Sequence, residues 1–201
     1  MAETFYISAY TTVFDRQVAI NGEVVYLSEA SSFATFVKEA VKNIQVDYPK
    51  FYKMDNLSKL TFTAGEYLLR NRTTVEDTAV ILANRSGSLD TDSRHWETIQ
   101  DETNYYPSPA IFVYTLANIC VGELCIRHHL LAENVFFVSD GYDAKSLHAY
   151  AAYLLLSGKA SRVLCGWVEL FGEEYKAVMY TVERTGILPH TIEQIDQLFL
   201  I

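Results

Sequence analysis

The stretch Ser108–Glu169 limits this chain to few folds. Val135-Phe136-Phe137-Val138 is an unbroken apolar run, the composition of a strand covered on both faces. Ala144, Leu147, His148, Ala151, Ala152 and Leu155 then recur at helical spacing. Asp143 stands where an N-cap belongs and Gly158 where a C-cap belongs. Val163–Cys165 reads as the next buried strand. A sharp turn, Ser139–Asp143, thus joins a buried strand to a helix N-terminus. Backbone amides and the helix dipole favour negative charge there, so such turns suit nucleophiles.

The flanking segments extend the alternation. Thr4–Phe14 is rich in Phe, Tyr, Ile, Val and Thr and reads as a strand. Gln17–Leu27 carries Asn21-Gly22 between apolar runs, a hairpin signal. Ser31–Val46 reads as a helix with Phe33, Phe36, Val37, Ala40, Val41 and Ile44 on one face, ended by Tyr48-Pro49. A second helix covers Asp55–Arg70, and Thr78–Ala83 is a short buried strand. The polar segment Asn84–Tyr106 reads as a long loop with one helical turn. Tyr175–Glu183 alternates as a strand after a turn at Gly172, and Thr191–Leu200 returns to helical spacing. No repeat or linker interrupts the chain, so 1–201 reads as one α/β domain with a mixed sheet.

Composition excludes several roles. A formal net charge of −9 argues against nucleic acid as a partner. No apolar run approaches the roughly 20 residues a membrane span needs. Met1–Tyr6 has no basic region of the kind that opens a signal peptide. Three cysteines in apolar settings read as reduced core thiols, so the expected location is the cytoplasm.

The chain resembles the β-ketoacyl synthases, the condensing enzymes of the thiolase-like superfamily. Ser108-Pro109, Asn118, Gly122, Gly158, Gly166 and Glu169 fall at that family's spacing without a gap. Met54-Asp55, Ser58-Lys59 and Ala79–Gly87 extend the resemblance back to about Phe51. The resemblance implies a thiolase-like half: a mixed five-stranded sheet flanked by helices, with the N-terminal hairpin at one edge. A complete condensing enzyme resembles two such halves, and its two histidines and lysine come from the second. The family's cysteine nucleophile falls at Gly141, which has no side chain to attack with. Cys120 and Cys125 then lie in the preceding helix and Cys165 within a strand, as core residues. The resemblance also implies a dimer in which Val135, Phe136, Phe137 and Val138 pair with a twin strand. Ile111 and Phe112 would then reach the partner's acyl tunnel.

Other chemistry is weak. Ser139 lies two residues early and has no Gly-x-Ser-x-Gly elbow around it. Ser139, Asp140 and Asp143 read as turn and cap residues. His128-His129 ends a helix without further metal ligands at fitting spacing, and His148 lies on an apolar stripe. Asn84–Ser88 lacks the lysine of a phosphate loop. The expectation is a catalytically silent ketosynthase-like subunit that needs no cofactor. It would partner an active ketosynthase, or itself, and meet the acyl carrier protein through that partner. Fatty-acid, polyketide or aryl-polyene/flexirubin-type synthesis is the implied setting. Two alternatives stand beside it: a stand-alone homodimer that binds acyl chains or carrier protein, and an acyltransferase using an unrecognised residue.

Overall fold

A computed structural model describes residues 3–70 and 77–200. Its strands are β1 (Tyr6–Phe14), β2 (Gln17–Ile20), β3 (Glu23–Leu27), β4 (Thr78–Asn84), β5 (Asn134–Val138), β6 (Arg162–Phe171), β7 (Glu174–Glu183) and β8 (Leu188–Pro189). They form one mixed sheet in the order β3-β2-β1-β7-β6-β4-β5, with β8 beside β1. β4 runs parallel to β5 and β6, and β7 is antiparallel to β6 and β1. The expected five strands are β5, β4, β6, β7 and β1. The hairpin does more than cap an edge, because β2 hydrogen-bonds along β1 and so widens the sheet. Asn21 and Gly22 have φ of 52° and 86°, the left-handed pair a two-residue hairpin turn needs.

Helices cover both faces. α1 (Phe33–Asn43), α2 (Asn56–Leu69) and α5 (Ile119–His128) pack one face over Val80, Leu82, Leu164 and Val168. α6 (Ala144–Leu156) and α7 (Ile192–Leu200) pack the other over Ile81, Val163, Cys165 and Tyr180. The caps follow the sequence: Ser32 Oγ accepts from Thr35 N at 3.3 Å, and Asp55 Oδ1 from Ser58 N at 3.0 Å.

Four expectations need correction. The loop Asn84–Tyr106 contains a full helix, α3 (Leu89–Glu97). Its few apolar residues give no periodicity. Contacts to α2 tie it down instead: Thr91 Oγ1 donates to Asp55 Oδ2 at 2.9 Å and Asn56 Nδ2 to Asp90 Oδ2 at 3.1 Å. The helix opened by Ser108-Pro109 is broken into α4 (Pro109–Phe112), a 3-10 turn at Val113–Thr115, and α5, with a 95° bend between the pieces. The strand expected at Val163–Cys165 runs on to Phe171, through Gly166. A Cβ there would stand 2.7 Å from the Val178 carbonyl oxygen, so only glycine lets β6 and β7 approach. Last, β5 is covered only in part: Val135 and Phe136 pack on opposite faces, Phe137 and Val138 are exposed, and the strand closes one end of the sheet. Among the described residues no single helix is long and apolar enough to cross a membrane.

Candidate functional site

β5 and the turn after it form the candidate site. Val80 N donates to Glu133 O and Ser139 N to Asn84 O, both at 3.0 Å, so these backbone groups of residues 133 and 139 point at β4. In a parallel ladder the direction alternates, so Val135 and Phe137 also point at β4. The amides and carbonyls of Asn134, Phe136 and Val138 point away from the sheet. Val135 and Phe136 are half-buried, while Phe137 is 38% and Val138 60% exposed. An apolar run marks a strand that is made to be covered, and the described residues leave this one open along its outer edge.

Grooves flank the strand. On the α6 side a groove of about 450 Å³ is lined by Phe137, Val138, Ser139, Leu147, Tyr150 and Tyr153. Phe137 meets Tyr150 edge-on at 5.8 Å, and Tyr150 stacks on Tyr153 at 6.1 Å. The Tyr150 hydroxyl donates to the Glu133 carboxylate, and Lys159 Nζ donates to Glu133 Oε2 at 3.3 Å, which fixes the wall of the groove. A second groove of about 470 Å³ lies between β5 and Thr115–Asn118. Ile111 is half-buried and Phe112 exposed on α4, immediately before that segment, with the Phe112 ring 5.4 Å from His95.

The turn itself is tied through Ser139, Tyr142 and Asp143. Ser139 Oγ donates to Gly141 O at 2.9 Å, a turn bond. Asp143 Oδ1 accepts from Ser146 N at 3.1 Å, and the Ser146 bonds hold its carboxyl below the usual range. The Tyr142 hydroxyl donates to Ile195 O at 3.1 Å, and its ring lies against Trp167 and Phe199. A Cβ on Gly141 would meet nothing within 4 Å, and its φ is not left-handed. Neither space nor backbone conformation requires glycine there.

The thiols are elsewhere. Cys120 is buried in α5, donates to Ala117 O at 3.1 Å, and is pushed up to about 12 by burial. Cys125, half-buried on the same helix, is pushed up to about 11 by burial. Cys165 is buried in β6, and burial raises it further. A thiol held neutral is a poor nucleophile at physiological pH.

The weaker candidates have structural occupations. His128 ends α5 with Nε2 3.3 Å from Glu66 Oε1, and His148 Nε2 is 3.1 Å from His190 O. The amides of Arg85 and Ser86 both donate to Glu169 Oε2, at 2.6 and 3.3 Å, so a carboxylate already fills the loop after β4. Sequence reasoning missed two features. One is Glu66, 1% exposed, held by Arg127 Nε at 2.5 Å. The other is the seat of α7 on Tyr142, a contact across more than 50 residues that no local pattern signals.

Sheet order, flanking helices and this strand–turn–helix unit define a thiolase-like α/β fold, the fold of ketosynthases and chain length factors. No family model and no curated protein matches the chain. Solved structures do. The chain is similar to the ishigamide ketosynthase/chain length factor, with TM-score 0.68 and 19% identity over 90% of this chain and 62% of that one. It is similar to a chain of the ketosynthase (ApeO) in complex with its chain length factor (ApeC) from Xenorhabdus doucetiae, with TM-score 0.62 and 16% identity over 97% of this chain and 90% of that one. It is also similar to AntDE:AntF, a type II PKS acyl-carrier protein in complex with its ketosynthase bound to the hexaketide. There the TM-score is 0.60 and the identity 13%, over 90% of this chain and 62% of that one. The chain therefore spans about three-fifths of the first and third of these.

Proposed function

We propose that the chain is a catalytically silent ketosynthase-like subunit that pairs with an active ketosynthase through the open edge of β5. One observation carries this reading. Gly141 stands where the resemblance expects the nucleophile, at a position with room for a side chain, while the three thiols are protonated in or against the core. The described chain thus offers the scaffold of a condensing enzyme without the attacking group. The neighbours support the partner: two are described as ketosynthase and chain length factor together, and one as a complex with an acyl-carrier protein. The ApeO/ApeC match is to a chain of nearly this chain's own length, so a protein of this size has a place in such an assembly.

In this reading Ile111 and Phe112 face the partner's acyl tunnel and set product length. The carrier protein docks on the ketosynthase, and the complex works in the cytoplasm on fatty-acid, polyketide or aryl-polyene-type chains. The alternative, a self-paired acyl binder, draws on the aromatic groove beside β5. Affinity capture of this chain from its native host, with the captured proteins identified by mass spectrometry, separates the two. Stoichiometric recovery of the ketosynthase supports the subunit reading. Recovery of this chain alone, with bound acyl material, supports the alternative.

A further inference from the structure

We infer that Glu123 is a positioning residue for product length: through the Tyr114 hydroxyl it holds the segment that carries Ile111 and Phe112 at one fixed depth. The inference rests on reading Ile111 and Phe112 as facing the partner's acyl tunnel, and it names what places them there. Their own packing does not. Ile111 is half-buried and Phe112 exposed, on a helix of barely one turn. The 95° bend behind them, at Leu116–Asn118, contains neither proline nor glycine, so contacts beyond the bend set it.

Two hydrogen bonds tie the segment down. Ser88 Oγ donates to Thr115 O at 2.7 Å, but it also lies 3.1 Å from Asp92 Oδ2, and a serine has one proton to share between them. The Tyr114 hydroxyl donates to Glu123 Oε1 at 3.0 Å and has no such competitor among the described residues. Glu123 is 5% exposed on α5, whose Cys120, Val121 and Leu124 are buried in the core. A carboxylate at that depth needs partners for its charge. Lys50, in the 3-10 turn Pro49–Lys53, places Nζ 2.7 Å from Oε2, and Tyr114 takes the other oxygen. Burial first, then the Glu123 charge, raises the Tyr114 phenol, so it stays protonated and donates. A hydrogen bond to a charged acceptor is roughly twice as strong as a neutral one. The bond therefore passes the position of the core helix to Tyr114, two residues from Phe112.

The test captures this chain, tagged in its native host, together with its partners. Acyl chains released from the captured proteins by hydroxylamine are then sized by mass spectrometry. Tyr114→Phe removes one hydroxyl and keeps the ring. It should broaden the length distribution by at least one extension unit, with recovery of the partner unchanged. Glu123→Leu should do the same, whereas Glu123→Gln keeps an acceptor for the hydroxyl and should keep the native distribution. In the isolated chain, amide exchange across Phe112–Asn118 should rise about two- to tenfold in Tyr114→Phe, the loss of one hydrogen bond, with β4 and β6 unchanged. Should Glu123→Leu fail to fold, Tyr114→Phe carries the test alone. A native distribution in Tyr114→Phe, while Ile111→Ala and Phe112→Ala shift it, overturns the positioning and leaves the tunnel reading standing. Broadening in Glu123→Gln as large as in Glu123→Leu assigns the effect to the charge and overturns the role of the bond. A distribution that neither Ile111→Ala nor Phe112→Ala moves overturns the tunnel reading itself, and capture that yields no acyl chain overturns the subunit reading beneath both.

Discussion

Tyr142 and Phe199 lie flat against each other, with ring centroids 4.1 Å apart and planes within 5°. The contact joins the turn beside Gly141 to the last turn of α7. Lys176 adds to it, with Nζ 4.7 Å from the Phe199 ring centroid and donating to Phe199 O at 2.6 Å. Phe199→Ala removes the stack and one of the two edge contacts of Trp167, leaving the one to Tyr142. We expect a loss of about 2–4 kcal/mol in urea unfolding. Amide exchange should rise in Ser139–Ser146 while the β1–β7 ladder stays protected. Unchanged exchange at the turn would mean that α7 does not hold it.

Glycine should be essential at 166 and dispensable at 141. At 166 a methyl group would strike the Val178 carbonyl at 2.7 Å; at 141 it meets open space. Gly166→Ala should cost about 1–3 kcal/mol and Gly141→Ala less than about 0.5 kcal/mol. Equal costs would assign Gly141 a backbone role and remove the contrast on which its functional reading stands. Gly141→Cys should fold equally well and still fail to condense acyl and malonyl carriers, because a thiolate also needs a base and an oxyanion donor set.

Glu66 is buried under α5 by Arg127, whose guanidinium also lies 5.0 Å from the Tyr48 ring centroid. Arg127→Leu leaves the buried Glu66 carboxylate with His128 Nε2, 3.3 Å away, in place of a guanidinium and should cost about 3–5 kcal/mol. Adding Glu66→Leu to the same chain should restore most of it, since apolar replacement of a whole buried pair is often neutral. Denaturant midpoints of the single and double variants check this. A double variant no better than Arg127→Leu would show that the pair positions the helices beyond its charge.

His190 gives the fold an acid limit. It is 6% exposed, its ring stacks on His148 at 4.7 Å, and burial first, then the His148 charge, lowers it from 6.5 to about 3. The folded state resists the proton, and the unfolded state takes it at the ordinary value. The contribution is therefore intact above pH 6.5 and is lost as pH falls toward about 3, with a slope of up to about 1.4 kcal/mol per pH unit. Unfolding midpoints measured from pH 7.5 to 4.5 should fall, and His190→Gln should flatten the upper part of that decline. A profile flat between pH 6.5 and 5 would contradict the burial argument.

Much of the fold could be read directly because its signals are local. Asn21-Gly22, the stripe of α1 and the cap at Asp143 each act within a few residues. What escaped depends on distant contacts. α3 is helical because Thr91 meets Asp55, not because its own residues demand it. β6 continues past Gly166 because Val178 lies close, although a glycine after an apolar run looks like a stop. The bend at Leu116–Asn118 has neither proline nor glycine to announce it. The exposure of β5 was hidden for another reason: a strand awaiting a partner chain has the same composition as one buried in its own. Gly141 was legible only through spacing, since a glycine in a turn carries no chemical signature of what is missing.

In the proposed complex this chain supplies a surface and the ketosynthase supplies the nucleophile. The most direct test is intact-protein mass spectrometry of the captured pair after incubation with an acyl-carrier thioester. The account predicts the acyl mass on the ketosynthase alone, with this chain unmodified and co-eluting, and separation of the two by Phe137→Asp. An acyl adduct on any residue of this chain, formed with the ketosynthase absent, would contradict it.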